Sequence, residues 1–86
     1  MTKYFIRWDK KAVDFLRKLD RKIAMRIINK MDKVAENPIH YLEPLKEINA
    51  YKVRVGGYRI IVDINHEKRL IDVLFIGHRR NIYKNI

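Results

Sequence analysis

The feature that most constrains the fold of this chain is a pair of adjacent glycines, Gly56 and Gly57, between two segments rich in β-branched and aromatic residues. Glycine tolerates the positive φ that a two-residue hairpin loop requires. The pair therefore predicts a β-hairpin with strands at residues 51–55 and 58–64. Apolar and polar residues alternate along the first strand, as expected when one face of a sheet is covered and the other is open.

The two-residue loop also sets the register of this hairpin and places Arg54 directly opposite Arg59. The other predicted pairs are Val55 with Tyr58, Val53 with Ile60, and Lys52 with Ile61. Directly opposed side chains have Cβ atoms about 5 Å apart, and like charges there are destabilising. Two interpretations stay open: a solvated basic face on a basic protein, or an anion site, because guanidinium groups bind phosphate oxygens in a bidentate way.

Strand alternation separates the residues of the hairpin into two faces. Those directed at the predicted helices are Tyr51, Val53, Val55, Tyr58, Ile60 and Val62. Those on the opposite side, called here the outer face, are Lys52, Arg54, Arg59, Ile61 and Asp63. The sequence therefore predicts an apolar face that packs on helices and an outer face that is mainly basic.

The rest of the chain predicts an α+β fold in the order β-α-α-β-β-β, with a helical hairpin packed on a mostly antiparallel twisted sheet. The further elements are a strand at 3–8, helices at 10–19 and 21–37, a loop with a short helical turn at 39–50, and a strand at 69–76. Asp9 and Asp20 are predicted helix N-caps, and Asn37 before Pro38 ends the second helix. Since the apolar phase continues through Asp20, one long helix is an alternative, but a hairpin hinged there suits so small a domain better.

A symmetric turn at residues 65–68 extends the outer face onto the last strand. It pairs Ile61 with Asp72 and Arg59 with Leu74, and Arg79 then emerges beside Arg59. The apolar residues predicted on the outer face are Ile61, Leu70, Leu74 and Ile76. Because exposed apolar patches usually mark an interface, the outer face is expected to bind both a nucleic acid and a protein.

The composition of the chain limits the classes of partner that it can bind. The chain has 86 residues, enough for one domain over residues 1–86, and a formal net charge of +10. Such an excess of positive charge indicates a polyanionic partner, either nucleic acid, an acidic protein or an anionic membrane. The N-terminus has no apolar stretch typical of a secretion signal, and no apolar run approaches the roughly 20 residues that span a bilayer. A cytoplasmic protein is expected.

The residue types exclude several kinds of catalysis. The chain contains no cysteine and no serine, which excludes disulfides, thiolate metal sites and serine or cysteine nucleophiles. The three histidines lie in predicted loops without the spacing of a metal site, so no metal and no cofactor are expected. Cleavage of RNA needs none of these groups, because the 2′-hydroxyl of the substrate is itself the nucleophile.

RNA cleavage requires that the 2′-hydroxyl lose a proton, the phosphorane charge be stabilised and the leaving oxygen be protonated. Nearby cations disfavour the charged form of a lysine, so Lys52, the only lysine of the cluster, is a candidate proton acceptor. His78 is a candidate for proton transfer because imidazole titrates near neutral pH. Tyr83 either stacks on a base or closes the core near the C-terminus.

Two motifs, YKVRVGGYRIIV and IGHRRNIY, together with an N-terminal W-D-x-x-A-x-x-x-L-x-x-L-D pattern, resemble those of the RelE toxins of the RelE/ParE superfamily. The resemblance covers nearly the whole chain. It implies a small α+β toxin of a type II toxin–antitoxin system. It also implies a metal-independent endoribonuclease, an mRNA interferase, that enters the ribosomal A site and cuts mRNA to leave a 2′,3′-cyclic phosphate and a 5′-hydroxyl.

The resemblance also assigns roles to residues. It implies that Lys52 is the general base or its electrostatic partner, and that Arg59 holds the scissile phosphate. Arg54 stands where some members have a second lysine, which keeps the charge but removes a possible base. Arg79 would stabilise the leaving group or act as general acid, and Tyr83 would stack on the mRNA base.

His78 occupies a variable position of the family and is a secondary acid/base candidate. The implied partners are the ribosome, mRNA and a RelB-like antitoxin, expected to be acidic and to form a hetero-oligomer with the toxin. Leu74 and Ile76 are the predicted antitoxin contacts. Three alternatives remain: a ParE-like toxin that inhibits DNA gyrase, a non-catalytic basic module that only binds nucleic acid, and a degenerate toxin that serves only as a partner for its antitoxin.

Overall fold

The computed structural model of the protein describes residues 3–46 and 48–81. The elements in chain order are β1 (Phe5–Trp8), α1 (Lys10–Lys18), α2 (Arg21–Glu36), α3 (Pro38–Tyr41), β2 (Glu43–Pro44), β3 (Tyr51–Val55), β4 (Tyr58–Asn65) and β5 (Leu70–His78). They form a five-stranded sheet in the order β1-β5-β4-β3-β2, with helices packed on one face. Within the described ranges, no helix is both long and apolar enough to cross a bilayer.

Two helices, not one, follow β1. Leu19 (φ −83°, ψ 154°) and Asp20 (φ −54°, ψ 140°) have non-helical backbone conformations and separate α1 from α2. The predicted hinge is therefore confirmed, and the single long helix is wrong. Asp9 and Asp20 occupy the N-cap positions as predicted, but neither side chain makes a capping hydrogen bond.

Proline ends α2 as the sequence predicts. Asn37 leaves the helical region with φ −150° and ψ 74°, because the ring of Pro38 disfavours the α conformation at the preceding residue. Pro38 then starts α3, where its missing N–H leaves no hydrogen bond unmade. The chain continues directly into β2, a strand of two residues that the sequence pattern did not predict.

The sheet is mostly antiparallel, as expected, with one parallel pair between β1 and β5. The register predicted for the β3–β4 hairpin is confirmed at every pair, including Arg54 with Arg59. The core between sheet and helices contains the predicted strand residues, and its fully buried large side chains include Ile27, Met31, Val34, Val53, Ile60, Val62, Ile71 and Val73. The apolar face that strand alternation predicted for β3 and β4 is thus confirmed.

The second hairpin differs from its prediction in two ways. Its turn occupies residues 66–69, with Arg69 at φ 52°, instead of residues 65–68. An irregularity between Ile61 and Val62 then shifts the register, so that Ile61 pairs with Phe75 and Ile60 with Ile76. One extra residue in a strand reverses which face the following side chains point to. The prediction that Ile76 lies on the outer face is therefore wrong.

The predicted apolar patch on the outer face is mostly covered. Ile76 is 5% exposed and belongs to the main core, whereas Ile61 is 0% exposed and forms a second small core with Ala50. The partly buried side chains packed against this second core are Leu45, Ile48 and Phe75. Leu70 and Leu74 are half-buried. The segment between β2 and β3 thus closes the outer face beside the basic residues.

The second core predicts an asymmetric response to two isoleucine truncations. Ile61→Ala should lower the free energy of unfolding by about 2 to 5 kcal/mol, because it removes buried methyl groups and leaves a cavity. Ile39→Ala, at a site that is 84% exposed, should change it by no more than about 0.5 kcal/mol. Urea denaturation of both variants measures the difference. Equal decreases in the free energy of unfolding would show that the segment near Ala50 does not exclude water from Ile61.

Candidate active site

The outer face carries three of the predicted site residues side by side. Lys52 and Arg54 lie on β3 and Arg59 on β4, and Arg54 is the direct cross-strand partner of Arg59. The turn that joins them has Gly56 at φ +58°, and a positive φ at the first loop residue alone is the pattern of a type II′ turn. The two-residue turn that the glycines allow thus places these two arginines directly opposite each other.

Glu43 is the site residue that sequence reasoning missed. It pairs with Lys52 across β2 and β3, and its Oε2 atom lies 3.2 Å from Nε of Arg54 and 3.8 Å from Nζ of Lys52. One carboxylate therefore offsets two cations of the face. The only signal in the sequence is an acidic residue before Pro44, and neither residue indicates strand pairing.

The position of Glu43 changes the expectation for Lys52. The sequence placed only cations around this lysine, whereas the structure adds a carboxylate within ion-pair distance. The Lys52 side chain is also largely covered, with 21% of its surface exposed. Lys52 is thus a partner of the Glu43 carboxylate, placed to stabilise negative charge that develops beside it.

Arg59 is satisfied in a different way from Arg54. Its Nη1 atom donates to the carbonyl oxygens of Tyr58 at 3.1 Å and Gly56 at 3.3 Å. Among the described residues, no carboxylate lies within ion-pair distance of Arg59. Two backbone carbonyl oxygens therefore hold the Arg59 guanidinium near the glycine turn. Its positive charge stays available to an anion.

Arg79 lies at the end of the strand next to Arg59. Its backbone N–H donates to the carbonyl oxygen of Gly57 at 2.8 Å, which continues the β4–β5 pairing one step beyond β5. Arg59 pairs with Gly77, a residue without a side chain. Strand alternation puts Arg79 on the side of the sheet that carries Arg59, and Arg79 is exposed. The structure therefore brings four predicted cations to one face.

His78 is not brought to this cluster. It pairs with Tyr58, on the face that packs against the helices, and the two rings meet edge-on with centroids 5.6 Å apart. Its Nδ1 atom accepts a hydrogen bond from the backbone N–H of Arg80 at 3.3 Å. The predicted acid/base candidate thus faces away from Arg59. Tyr83 lies outside the described residues.

The arrangement is suited to bind a phosphate group next to a carboxylate. Phosphate oxygens fit guanidinium forks, and the free carboxylate oxygen of Glu43 can accept a proton from a bound hydroxyl. Within residues 3–46 and 48–81, there is no group of three or more His, Cys, Asp or Glu residues that could hold a metal ion. The described groups of this face that can bind an anion or accept a proton are the cations and Glu43.

Sequence comparison assigns this chain to a class of small protein toxins. Residues 6–83 match the family described as the ParE toxin of type II toxin–antitoxin system, parDE, and the chain belongs to this family. It is similar to the mRNA interferase toxin RelE of Escherichia coli K12, with 28% identity over 79 residues that cover 88% of this chain and 83% of the relative. A putative RelE-like toxin of Escherichia coli is 27% identical over 81 residues, covering 90% and 84%.

Solved structures show the same fold. The toxin–antitoxin complex RelBE2 of Mycobacterium tuberculosis contains a chain that is 25% identical, with a TM-score of 0.83 over 91% of this chain and 100% of that one. The intact Escherichia coli RelBE complex contains one that is 28% identical, with a TM-score of 0.75 over 87% and 95%. These likenesses confirm the predicted α+β fold and the RelE/ParE resemblance.

The opposed arginines predict a conflict between stability and function. Arg59→Gln should raise the free energy of unfolding by a few tenths of a kcal/mol at low salt, since it removes a like charge facing Arg54. The gain should shrink as salt screens the repulsion. Urea denaturation at two salt concentrations measures it, with Arg17→Gln on α1 as the control for net charge. A destabilised Arg59→Gln at low salt would contradict the prediction.

Proposed function

We propose that this protein is a metal-independent endoribonuclease that cuts mRNA in the ribosomal A site, the toxin of a type II toxin–antitoxin pair. The observation that carries the proposal is the pairing of Lys52 and Arg54 with the Glu43 carboxylate on the outer face, with Arg59 directly opposite Arg54. It combines phosphate-binding cations with a proton acceptor. The two Escherichia coli and Shigella flexneri relatives named mRNA interferases support it.

In this proposal Glu43 accepts the proton of the RNA 2′-hydroxyl and Lys52 is its electrostatic partner. The carboxylate is the proton acceptor, while the adjacent ammonium orients it and stabilises charge on the attacking oxygen. The 2′-oxygen bonds to phosphorus, the bond from phosphorus to the 5′-oxygen breaks, and that oxygen takes up a proton. The products are a 2′,3′-cyclic phosphate and a 5′-hydroxyl.

The arginines bind the phosphate in this scheme. Arg54 and Arg59 neutralise the charge that grows on its non-bridging oxygens, which is the largest contribution expected of such a site. Arg79 stabilises the leaving oxygen or supplies its proton. Tyr83 stacks on the base next to the cut, as aromatic side chains do in recognition of single-stranded RNA. The ribosome aligns the mRNA, so the protein itself needs no deep cleft.

We also propose that the protein acts in the cytoplasm, where ribosomes are, and that a RelB-like antitoxin inhibits it in a hetero-oligomer. The toxin chains of similar fold were solved in complexes named RelB–RelE, including that of the Escherichia coli pair. A net charge of +10 favours an acidic antitoxin segment. Leu74, half-buried beside the basic face, remains a candidate antitoxin contact, whereas Ile76 contributes to the core.

Inhibition of DNA gyrase is the second candidate function, because the matching family is described by the ParE toxin. Inhibition of gyrase would give no role to the Glu43 carboxylate that lies among the cations. A toxin that left mRNA intact on the ribosome but blocked gyrase supercoiling would replace the proposal with this one.

Cleavage within the A-site codon is the first expected outcome. Purified protein added to ribosomes stalled with a defined codon should create a new primer-extension stop in that codon, with a metal chelator present. Arg79→Ala should lower the cleavage rate by about 10²-fold or more, as loss of a transition-state donor does. Arg17→Ala, remote on α1, should cleave at the wild-type rate. An intact mRNA with wild-type protein would reject the proposal.

The same assay with substituted proteins tests the role of Glu43. Glu43→Gln should lower the cleavage rate by about 10² to 10⁴-fold, because an amide cannot accept the proton of the 2′-hydroxyl. Glu67→Gln, an exposed residue of the 66–69 turn, is the matched control. A Glu43→Gln protein that cuts at the wild-type rate, together with a Lys52→Ala protein that does not cut, would return the base to Lys52.

An antitoxin complex should bury the arginine pair. In a toxin–antitoxin crystal structure, acidic antitoxin residues should lie within ion-pair distance of Arg54 or Arg59, because desolvated cations need anionic partners. A complex that leaves both guanidinium groups fully exposed to solvent would contradict this prediction.

A further inference from the structure

A second basic surface lies on α2, outside the candidate active site. Lys22, Arg26, Asn29 and Lys33, called here the α2 stripe, follow one another at i, i+4, i+7 and i+11, and all four are exposed. This spacing puts them on one face of the helix. At 1.5 Å per residue the stripe is about 16 Å long, which is comparable to about five nucleotides of one strand in a duplex.

The α2 stripe borders a groove that reaches the hairpin of the active site. Arg26, Asn29 and Lys33, with Lys30, line one side of a groove of about 330 Å³, and Arg54, Val55 and Gly56 line the other. A Cβ atom placed on Gly56 would be 3.5 Å from Nη2 of Arg26. The guanidinium of Arg26 therefore lies against the glycine turn, and Arg54 belongs to both surfaces.

The edge of the sheet is open along this groove. β2 pairs only with Tyr51 and Lys52, so residues 53–55 of β3 have no strand beyond them among the described residues. Arg54 of the outer face and Arg26 and Lys33 of the α2 stripe line the same groove at this edge. A polymer bound at Arg54 can continue round the edge onto α2.

The cations of the α2 stripe, Lys22, Arg26 and Lys33, have no carboxylate partner within ion-pair distance among the described residues. Lys30, on the groove wall, lies over the Tyr41 ring at 4.6 Å. Uncompensated cations in a row destabilise a helix through like-charge pairs at i, i+4, so an external polyanion is the natural source of compensation.

We propose that the α2 stripe and the β3 edge form a second RNA-binding surface that holds the phosphate backbone beside the active site. The inference rests on the proposed ribonuclease function, for which it supplies an affinity site separate from the cleavage site. The groove favours RNA over an acidic protein because α2 contributes cations and an amide to it and its apolar lining residue, Val55, is buried, whereas protein interfaces need exposed apolar anchors. Met25, 44% exposed, lies in a neighbouring hollow that it shares with Lys22, Arg26 and Asn29, so one apolar side chain borders the stripe.

A binding assay that cannot report cleavage tests this surface. The probe is a fluorescent 2′-O-methyl RNA hairpin, whose blocked 2′-oxygen prevents cutting, and anisotropy gives Kd at several salt concentrations. The stripe variant carries Lys22→Gln, Arg26→Gln and Lys33→Gln. The control variant carries Arg17→Gln, Lys18→Gln and Lys68→Gln, also exposed, and has the same net charge. Circular dichroism verifies that both variants fold.

The stripe variant should lower the slope of log Kd against log salt by about two to three, since each lost phosphate contact removes about 0.9. The control should lower it by less than one. Equal losses in the two variants, or no binding of the hairpin by the wild type at low salt, would overturn the proposal. Polyglutamate that competes as well as unlabelled RNA of equal charge would overturn it in favour of an acidic protein partner.

The two proposals fail in different ways. If the wild type binds the hairpin through the α2 stripe but leaves A-site mRNA intact, the ribonuclease function is wrong and the surface stands. If the wild type cuts A-site mRNA while the stripe and control variants bind RNA equally well, the surface is wrong and the ribonuclease stands.

Discussion

The register of the β3–β4 hairpin is the constraint on which the rest of the site depends. Gly56, at φ +58°, allows a loop of two residues, and the short loop permits a single pairing of the strands. That pairing sends the apolar side chains to the helices and Lys52, Arg54 and Arg59 to the outer face. Shifting the register by one residue would exchange the two faces, burying charge and exposing the core, so packing and function enforce the same alignment.

The charges on this face are compensated only in part. Glu43 contacts Arg54 and Lys52, whereas Arg59 is held by two backbone carbonyl oxygens. A face with full internal pairing would have no free cation for a phosphate, and one without Glu43 would repel itself more strongly. The observed balance leaves positive charge for the substrate and a carboxylate within reach of it. The positive charges of the α2 stripe, beyond the sheet edge, are also uncompensated, because no described carboxylate pairs with them.

Local patterns predicted most of the fold because most of its features have local causes. The β3–β4 hairpin follows from two glycines and the end of α2 from Pro38, whereas the break at Asp20 was predicted from the size of the whole domain. The errors arose where pairing depends on residues far apart in the chain. The β4–β5 irregularity reverses the face of Ile76, and the cover over Ile61 comes from the segment around Ala50. Neither a bulge nor a covering loop has a periodic sequence signature.

For the site, the sequence by itself determined which cations share a face, since strand alternation and the two-residue loop are properties of the chain near Gly56. Only the tertiary structure decided what lies beside those cations. Glu43 reaches Lys52 through a strand of two residues, His78 turns to the helix side after the register shift, and Arg26 meets the hairpin turn from α2. The physical reason is that alternation is set residue by residue, whereas contacts between separate elements are set by how the whole core packs.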